Sequence, residues 1–469
     1  MPVKEKVLTP ELIQQEVQRA FFPVGKAPQQ RIGLELEIWP FRTEADNPVG
    51  LIPFFDESGQ GLIDIIRQLE GPAFGLTYLP TADGTPKFTF EDGATLTFEP
   101  GGQLEYSSAP HQNASQAIQA IQHVIETLRC HFKKENIWFF HGGLNPWHTV
   151  AEVGLQLQKP RYINMDRFFE KIGPFGQKMM RLSTSLQVNL DVGDPETAQR
   201  RWLAANLLGP VFTALFANSP FADRKPTGAY SYRSLLWQRL DPSRTGFQKG
   251  FLAPEYHPCP VGQYLDFALN AYCMRLPDHQ GDLVFEGHFK SFKTWLEDGH
   301  QDTYPDLDDW RTHLTTLFPE VRAKGFFEIR YLDAQSKVWC AIPGILLHNL
   351  IYDAEACEKV IQWLSPYRTT LPQMQAAAAH HALTDREIAS LAKKIFHLAM
   401  DSAPAGEEPN ILALCERFYE RYTGRERTPA CELIELNGGS LFTPVQYRDF
   451  EKSQVDMAGD IIHMICEYM

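Results

Sequence analysis

Cysteine is scarce and scattered in this sequence. There are eight in 469 residues (Cys130, Cys259, Cys273, Cys340, Cys357, Cys415, Cys431 and Cys466), with no CxxC pair and no metal-ligand spacing. In a large chain this argues for reduced thiols packed as small hydrophobes, and against a disulfide scaffold or a zinc site. Long apolar runs are absent, so no membrane span is expected. The opening stretch, MPVKEKVLTPELIQQ, has no apolar h-region, and a cytoplasmic location is the expectation. Positive charge is in deficit: 44 Lys plus Arg face 58 Asp plus Glu, a formal net charge of −14. Such a chain is poorly suited to grip a nucleic-acid backbone, although local arginines can still reverse the field inside a pocket. GxxxxGK[ST], GxGxxG after a strand, HExxH and GxSxG are all missing, which argues against P-loop enzymes, Rossmann dehydrogenases, zinc proteases and α/β-hydrolases.

What is present is core-forming material. Apolar residues make up 43%, including 31 Phe and 9 Trp, enough for one large domain or two merged ones. Residues 10–21 read as a helix ended by Pro23, and 31–39 (RIGLELEIW) as an alternating strand. Short strands follow in KFTFED, ATLTFEP and QLEYSSA. A helix capped at Asn113 or Ser115 then carries Ile118, Ile121, Ile125 and Leu128 on one face. WFFHGGL reads as a strand, as does RLSTSLQVNLD (181–191), with Leu182, Thr184, Leu186, Val188 and Leu190 on one face. The chain then turns mostly helical, apart from a late strand, FFEIRYLD, and only helices and loops are expected from 343 onward. The pattern composes an α+β protein, a mostly antiparallel sheet covered by helices with a helical C-terminal part. The paired histidines of MQAAAAHHALT are expected to face solvent.

Four strands place carboxylates or arginines on a polar face: Glu35 and Glu37; Gln103 and Glu105, with Glu99 before a Pro-Gly-Gly turn; Gln187, Asn189 and Asp191; and Glu328 and Arg330. Any one of these could be the wet face of a half-buried sheet. Together, with bulky Trp39, Phe41, Phe98 and Tyr106 nearby, they suggest a walled cavity. Converging carboxylates repel one another unless cations neutralise them, and an all-oxygen donor set suits Mg²⁺, which is usually shared with nucleotide phosphates. Arg181, Arg233 and Arg330 would suit a substrate carboxylate or a transferring phosphoryl group.

The segments RIGLELEIWPF, TFEPGGQLEYSSAP, KPRYINMDRFF, MMRLSTSLQVNLD, LFANSPF, YSYRSLLWQRLDPSRTG, LTTLFPEVRAKGFFEIRYLDA and WCAIPGILLHNLIYD, in this order from about residue 31 to 353, resemble the plant-type glutamate–cysteine ligases, a family with many bacterial members. The resemblance implies a sheet curved into a cup, a glutamine-synthetase-like catalytic core over 1–370 and a helical extension over 371–469. It also implies a reaction. Mg·ATP phosphorylates the γ-carboxylate of L-glutamate, the amine of L-cysteine attacks, and γ-glutamylcysteine leaves as the first product of glutathione-type thiol synthesis. By the same resemblance Glu35, Glu37, Glu99, Glu105 and Glu328 hold metal, with Gln103, Gln187 and Asn189 near metal and nucleotide. Arg233, Arg181 and Thr184 take the substrate, and Arg330 and Arg233 serve the chemistry at the phosphates and the amino acid. Removing one charge from the five glutamates is expected to leave the metal-free protein at least as stable. The implied partners are small molecules, without nucleic acid or membrane, and the implied assembly is a monomer or homodimer. Ser185 stands where plant members carry Cys, and Leu36 where the first motif often carries His. The plant redox-switch cysteine pair has no counterpart by spacing. Two other readings remain open on the residues: a γ-glutamyl ligase for another amine, and an inactive relative that binds nucleotide or glutamate.

Overall fold

The computed structural model describes residues 8–23, 29–44, 47–56, 59–82, 84–405 and 407–454. Its centre is a ten-stranded sheet. The strands are β1 (Ile32–Glu44), β2 (Asn47–Gly50), β3 (Leu76–Tyr78), β4 (Phe88–Phe90), β5 (Thr95–Phe98), β6 (Leu104–Ser107), β7 (Ile137–Phe140), β8 (Ser185–Leu190), β9 (Val321–Ala323) and β10 (Phe327–Asp333). They run in the order β9-β10-β8-β1-β6-β5-β4-β3, with β2 and β7 also paired to β1, and every one of these pairings is antiparallel.

β1 organises the sheet because it serves two sets of partners. Its first half lies between β8 and β6, with Glu35 opposite Gln187 and Glu37 opposite Glu105. Past Ile38 it changes partner to β7, with Pro40 opposite Phe139. The strand therefore runs on beyond the expected stop at residue 39. Proline has no N–H for a ladder, and here it sits beside the place where the ladder changes hands.

Alternation gives the sheet one apolar face: Leu34, Leu36 and Ile38 are buried with Leu186, Val188 and Ile329 in the main core. Helices α1 (Pro10–Phe21), α2 (Ala114–Phe132), α6 (Ile342–Tyr352) and α7 (Leu371–His381) share this core, whereas α3 (Pro160–Ile172), α4 (Pro174–Leu182) and α5 (Tyr232–Gln238) carry residues that lie over the polar face. The Asn113 side chain accepts from Gln116 N and caps α2, whose Ile118, Ile121, Ile125 and Leu128 are all buried. α6 crosses the sheet so closely that a Cβ on Gly344 would lie 2.8 Å from Leu34 Cδ2. A single apolar core joins residues from Leu8 to Tyr422, so helices on both sides of position 370 share it.

Several expectations need adjustment. The strand read over 181–191 begins only at Ser185. Gly173 and Pro174 start α4, and its buried Met179, Met180 and Leu182 carry the helix through Arg181. Trp39 and Phe41 do not line the cavity described below; they form a second aromatic core with Trp138, Phe140, Trp147 and Tyr447. His381 is exposed, but His380 is half-buried. From 343 onward the described residues hold helices and loops without a strand.

Among the described residues no helix is long and apolar enough to cross a membrane, and seven cysteines are free thiols; Cys466 lies outside them. Cys273, Cys340, Cys357 and Cys415 are buried, as expected of small hydrophobes, whereas Cys130 and Cys259 are exposed. Turnover is therefore expected to change less than about twofold between dithiothreitol and air. A large reversible change in rate would contradict this.

Candidate active site

The polar face of the sheet looks into a cavity of about 200 Å³ lined by Glu35, Glu37, Glu99, Glu105 and Glu328, with Gln103, Gln187, Arg233 and Arg330. The register explains the convergence. Glu35 and Glu37 are two residues apart on β1, Glu105 lies opposite Glu37, and Glu328 on β10 lies opposite Asn189 on β8. Glu99 arrives from the end of β5, where the turn at Gly101–Gly102 reverses the chain into β6. Gln103 fixes that turn. Its side-chain oxygen accepts from Gly101 N at 3.0 Å, and its Nε2 donates to the Ser183 carbonyl at 2.8 Å.

The five glutamates do not form one uniform cluster. Glu37, Glu99 and Glu105 each bring an oxygen to within 4.8 Å of the other two. Glu37 is aimed by three donors, Ser185 N at 2.8 Å, Ser185 Oγ at 2.9 Å and Gln187 Nε2 at 3.1 Å. Glu105 accepts from Ser107 Oγ at 2.8 Å, and Glu35 accepts from Asn189 Nδ2 at 2.7 Å. Burial, then the neighbouring Glu105, pushes the Glu37 carboxyl up to about 7. Burial, then Glu328 and Glu105, does the same for Glu35, also to about 7. Burial raises Glu99 well above the carboxylate range, with Glu105 and Glu37 adding to the effect. Crowded carboxyls that resist ionisation, in an all-oxygen set, fit a hard divalent cation such as Mg²⁺.

Glu328 behaves oppositely. Arg322 grips it with Nε at 2.6 Å and Nη2 at 3.0 Å, while Lys324 Nζ lies at 2.8 Å and Arg330 Nη1 at 2.6 Å. Burial alone would raise its carboxyl, but Arg322, Arg330 and Lys324 together hold it well below the usual range. The expectation that neutralising any of the five leaves the fold intact is reversed here. Glu328→Gln strands three cations around a fully buried amide, so it should destabilise the metal-free protein by about 3 kcal/mol or more. Denaturant titration of the variant checks this; an unchanged midpoint contradicts it.

Two residues expected at the substrate stand elsewhere. Arg181, at the end of α4, is paired with Asp166 Oδ1 at 2.5 Å and donates to the Val150 carbonyl at 3.3 Å, outside the cavity lining. Thr184, just before β8, is fully buried and absent from the cavity lining, its hydroxyl donating to the Gly142 carbonyl at 2.5 Å. Its place among the apolar residues of its strand had pointed that way. Asn189 reaches the site through Glu35 and does not itself line the cavity.

Other lining residues were not singled out from sequence: Arg161, Arg322 and Lys324, with Tyr162, Met165, Met179, Met180, Trp237 and Phe318 as the apolar wall. Arg322 lies directly opposite Glu328 across the β9–β10 hairpin, a register the sequence does not spell out. Arg161, in the first turn of α3, donates to the Thr315 carbonyl at 3.1 Å, and its Nε has no partner among the described residues. No ion pair holds Arg161 among the described residues, and burial, with Arg322 nearby, lowers its pKa. The cavity thus sets three mutually repelling carboxylates against Arg161, Arg233, Arg330, Arg322 and Lys324. Such a site can take a ligand that is anionic and also brings cations.

A profile of glutamate–cysteine ligase family 2 (GCS2) matches residues 31–427. Among similar proteins, the glutamate–cysteine ligase EgtA of Mycolicibacterium smegmatis is 30% identical over 415 residues, covering 87% of this chain and 86% of that protein. The chloroplastic glutamate–cysteine ligase B of Oryza sativa subsp. japonica is 28% identical over 374 residues, covering 78% of this chain and 72% of its own. Among solved structures, a Francisella tularensis glutamate–cysteine ligase in complex with AMP superposes with a TM-score of 0.46 at 12% identity, covering 94% of this chain and 90% of that one.

Proposed function

The chain belongs to glutamate–cysteine ligase family 2, and we propose that it joins L-glutamate to L-cysteine with ATP, through a γ-glutamyl phosphate. The observation that carries this reading is the opposition of Glu37, Glu99 and Glu105 to Arg161, Arg233 and Arg330 within one cavity. A carboxylate is a poor acyl donor because its oxygen leaves badly. Transfer of the γ-phosphoryl group turns that oxygen into part of a good leaving group; ADP departs, and the amine then attacks the acyl carbon, releasing phosphate and a proton. The protein has to hold anions side by side and keep water from the acyl phosphate. Arg161 and Arg233 supply positive charge for the carboxylates, and Arg330, positioned by Gln187 and Glu328, faces the transferring group. The apolar wall of Met165, Met179, Met180, Trp237 and Phe318 limits water. Glu37, Glu99 and Glu105 would hold Mg²⁺, which when bound would screen the phosphates and polarise the phosphoryl oxygens.

ATP turnover with glutamate fixed and the amino-acid acceptor varied, with the product identified by mass, tests the proposal. Cysteine-dependent release of ADP with γ-glutamylcysteine is expected. Turnover with another amine alone would keep the chemistry and replace the acceptor. No turnover with any acceptor would overturn the reading.

Arg161 gives a further expectation. Arg161→Met keeps the bulk and removes the charge, and it should cost about 2 kcal/mol or more in kcat/KM. Steady-state kinetics check this; a change under about twofold would remove Arg161 from the site.

A further inference from the structure

Beside Arg233 lies a carboxylate that is not part of the cavity lining. Asp333, at the end of β10, is buried to 2% exposure, and its carboxylate is fully engaged. One oxygen accepts from Asn218 N at 2.8 Å and from Ser219 Oγ at 2.7 Å. The other accepts from Ser231 Oγ at 3.0 Å and lies 3.8 Å from Arg233 Nη1.

These bonds converge on the start of α5. Ser219 Oγ, while donating to Asp333, accepts from Arg233 N at 3.1 Å. Ser231 Oγ, while donating to Asp333, accepts from Ser234 N and caps the helix. The backbone closes the same knot, since Tyr232 N donates to the Ser219 carbonyl and Ser231 N to the Ala379 carbonyl, both at 3.0 Å. From α7, Gln375 Nε2 reaches Ser234 Oγ at 3.2 Å. On the far side Gly143 presses against the carboxylate: a Cβ there would lie 2.5 Å from Asp333 Cγ, so only glycine fits.

The guanidinium that emerges from this frame is also constrained. Arg233 Nη2 donates to the Arg330 carbonyl at 3.0 Å, and the group lies over the Trp237 ring with its carbon 5.0 Å from the centroid. Burial disfavours its charge, and Asp333 is the foremost group opposing that effect. Nε has no partner.

We propose that Asp333 is the positioning residue for Arg233, its carboxylate joining the Ser219 and Ser231 hydroxyls to the guanidinium so that Arg233 stands charged and oriented in the cavity. The substrate side of this inference rests on the reading of Arg233 as a clamp for the glutamate carboxylate.

Asp333→Asn separates charge from shape. Its amide oxygen can still accept from Asn218 N and Ser219 Oγ, and Ser231 can turn its hydroxyl to accept from the amide. What is lost is the negative charge beside Arg233. The expected result is a rise of roughly 10-fold or more in KM for glutamate, with KM for ATP within about twofold. In an Arg233→Ala background the same change should add less than about twofold, because a residue acting only through Arg233 has nothing further to lose. Ser219→Ala, which keeps the carboxylate and removes one arm, should shift KM for glutamate in the same direction by less, and it carries the test if Asp333→Asn does not fold. Equal damage to both Michaelis constants, or losses that multiply in the double variant, would overturn the proposal. Failure of the wild type to turn over glutamate with any acceptor would be the failure of the functional reading instead. Asp333 is then judged on Trp237 emission, taken as the difference from Trp237→Phe in each background. The same spectral change in Asp333→Asn and Arg233→Ala supports positioning, and an unchanged spectrum in Asp333→Asn refutes it.

Discussion

Glu99→Gln is expected to lower ligation on the order of 1,000-fold while leaving the metal-free protein as stable as the wild type, or more so. The reason is the company Glu99 keeps. Its carboxyl is crowded by Glu105 and Glu37, and burial has already raised it well above the ordinary range. Each unit by which a folded-state pKa exceeds the unfolded value corresponds to ~1.4 kcal/mol that ionisation withdraws from the fold. A neutral amide removes that repulsion and also removes a cation ligand. A structural carboxylate makes the reverse forecast, with a lower melting temperature and normal turnover in the folded fraction. Melting with and without Mg·ATP, measured alongside rate, separates the two.

The pH dependence of the metal-free protein follows from the same groups. Glu35 and Glu37 rise from 4.5 to about 7 in the fold, so between those values the folded state binds more protons than the unfolded one. Their contribution is therefore fully present below about pH 4.5 and is lost as pH rises through about 7. Glu328 runs the other way, because its lowered carboxyl contributes above pH 4.5 and fails as pH falls through its depressed value. Bound cations should flatten the loss near neutrality, since ligands must be deprotonated to hold them.

Arg233→Ala is expected to cost about 2–4 kcal/mol of transition-state binding, falling on glutamate rather than ATP. Arg233 is 2% exposed, lies 3.8 Å from Asp333, and among the described residues its guanidinium has only the Arg330 carbonyl as a close hydrogen-bond acceptor. It therefore keeps donors for a substrate carboxylate. Steady-state constants for both substrates decide the matter: equal damage to both, or to neither, would take the clamp away from Arg233.

Much of this site was legible because β-strands alternate with period two. Glu35 and Glu37, Gln103 and Glu105, and Glu328 and Arg330 each had to share a face, and each pair lines the cavity, whatever the partner strand. Register was not legible, so nothing in the sequence alone separated Glu328, gripped by Arg322 and Lys324, from the three carboxylates that crowd one another. Arg181 was misplaced because RLSTSLQVNLD keeps its alternation across a helix–strand junction; α4 ends one residue after Arg181 and turns it toward Asp166. Arg161 lies in the first turn of a helix, where a basic residue reads as solvent-facing, and its hydrogen bond to the Thr315 carbonyl, across the cavity wall, is a long-range contact that the sequence does not reveal. The aromatic residues of β1 were credited to the cavity because their strand was read as ending at Trp39; its continuation to β7 places them in a separate core.

The central claim is that Glu37, Glu99 and Glu105 form a divalent-cation site within an anion-binding cavity. Calorimetric titration of Mg²⁺ and ATP at pH 6.5, in buffers of differing ionisation enthalpy, tests it most directly. Glu37, raised to about 7, and Glu99, raised well above the ordinary range, must give up protons when a cation arrives, so binding should release on the order of one proton. Release should be smaller in Glu99→Gln, which lacks one of the raised carboxyls. Binding without proton release, or equal binding by Glu99→Gln, would contradict the account.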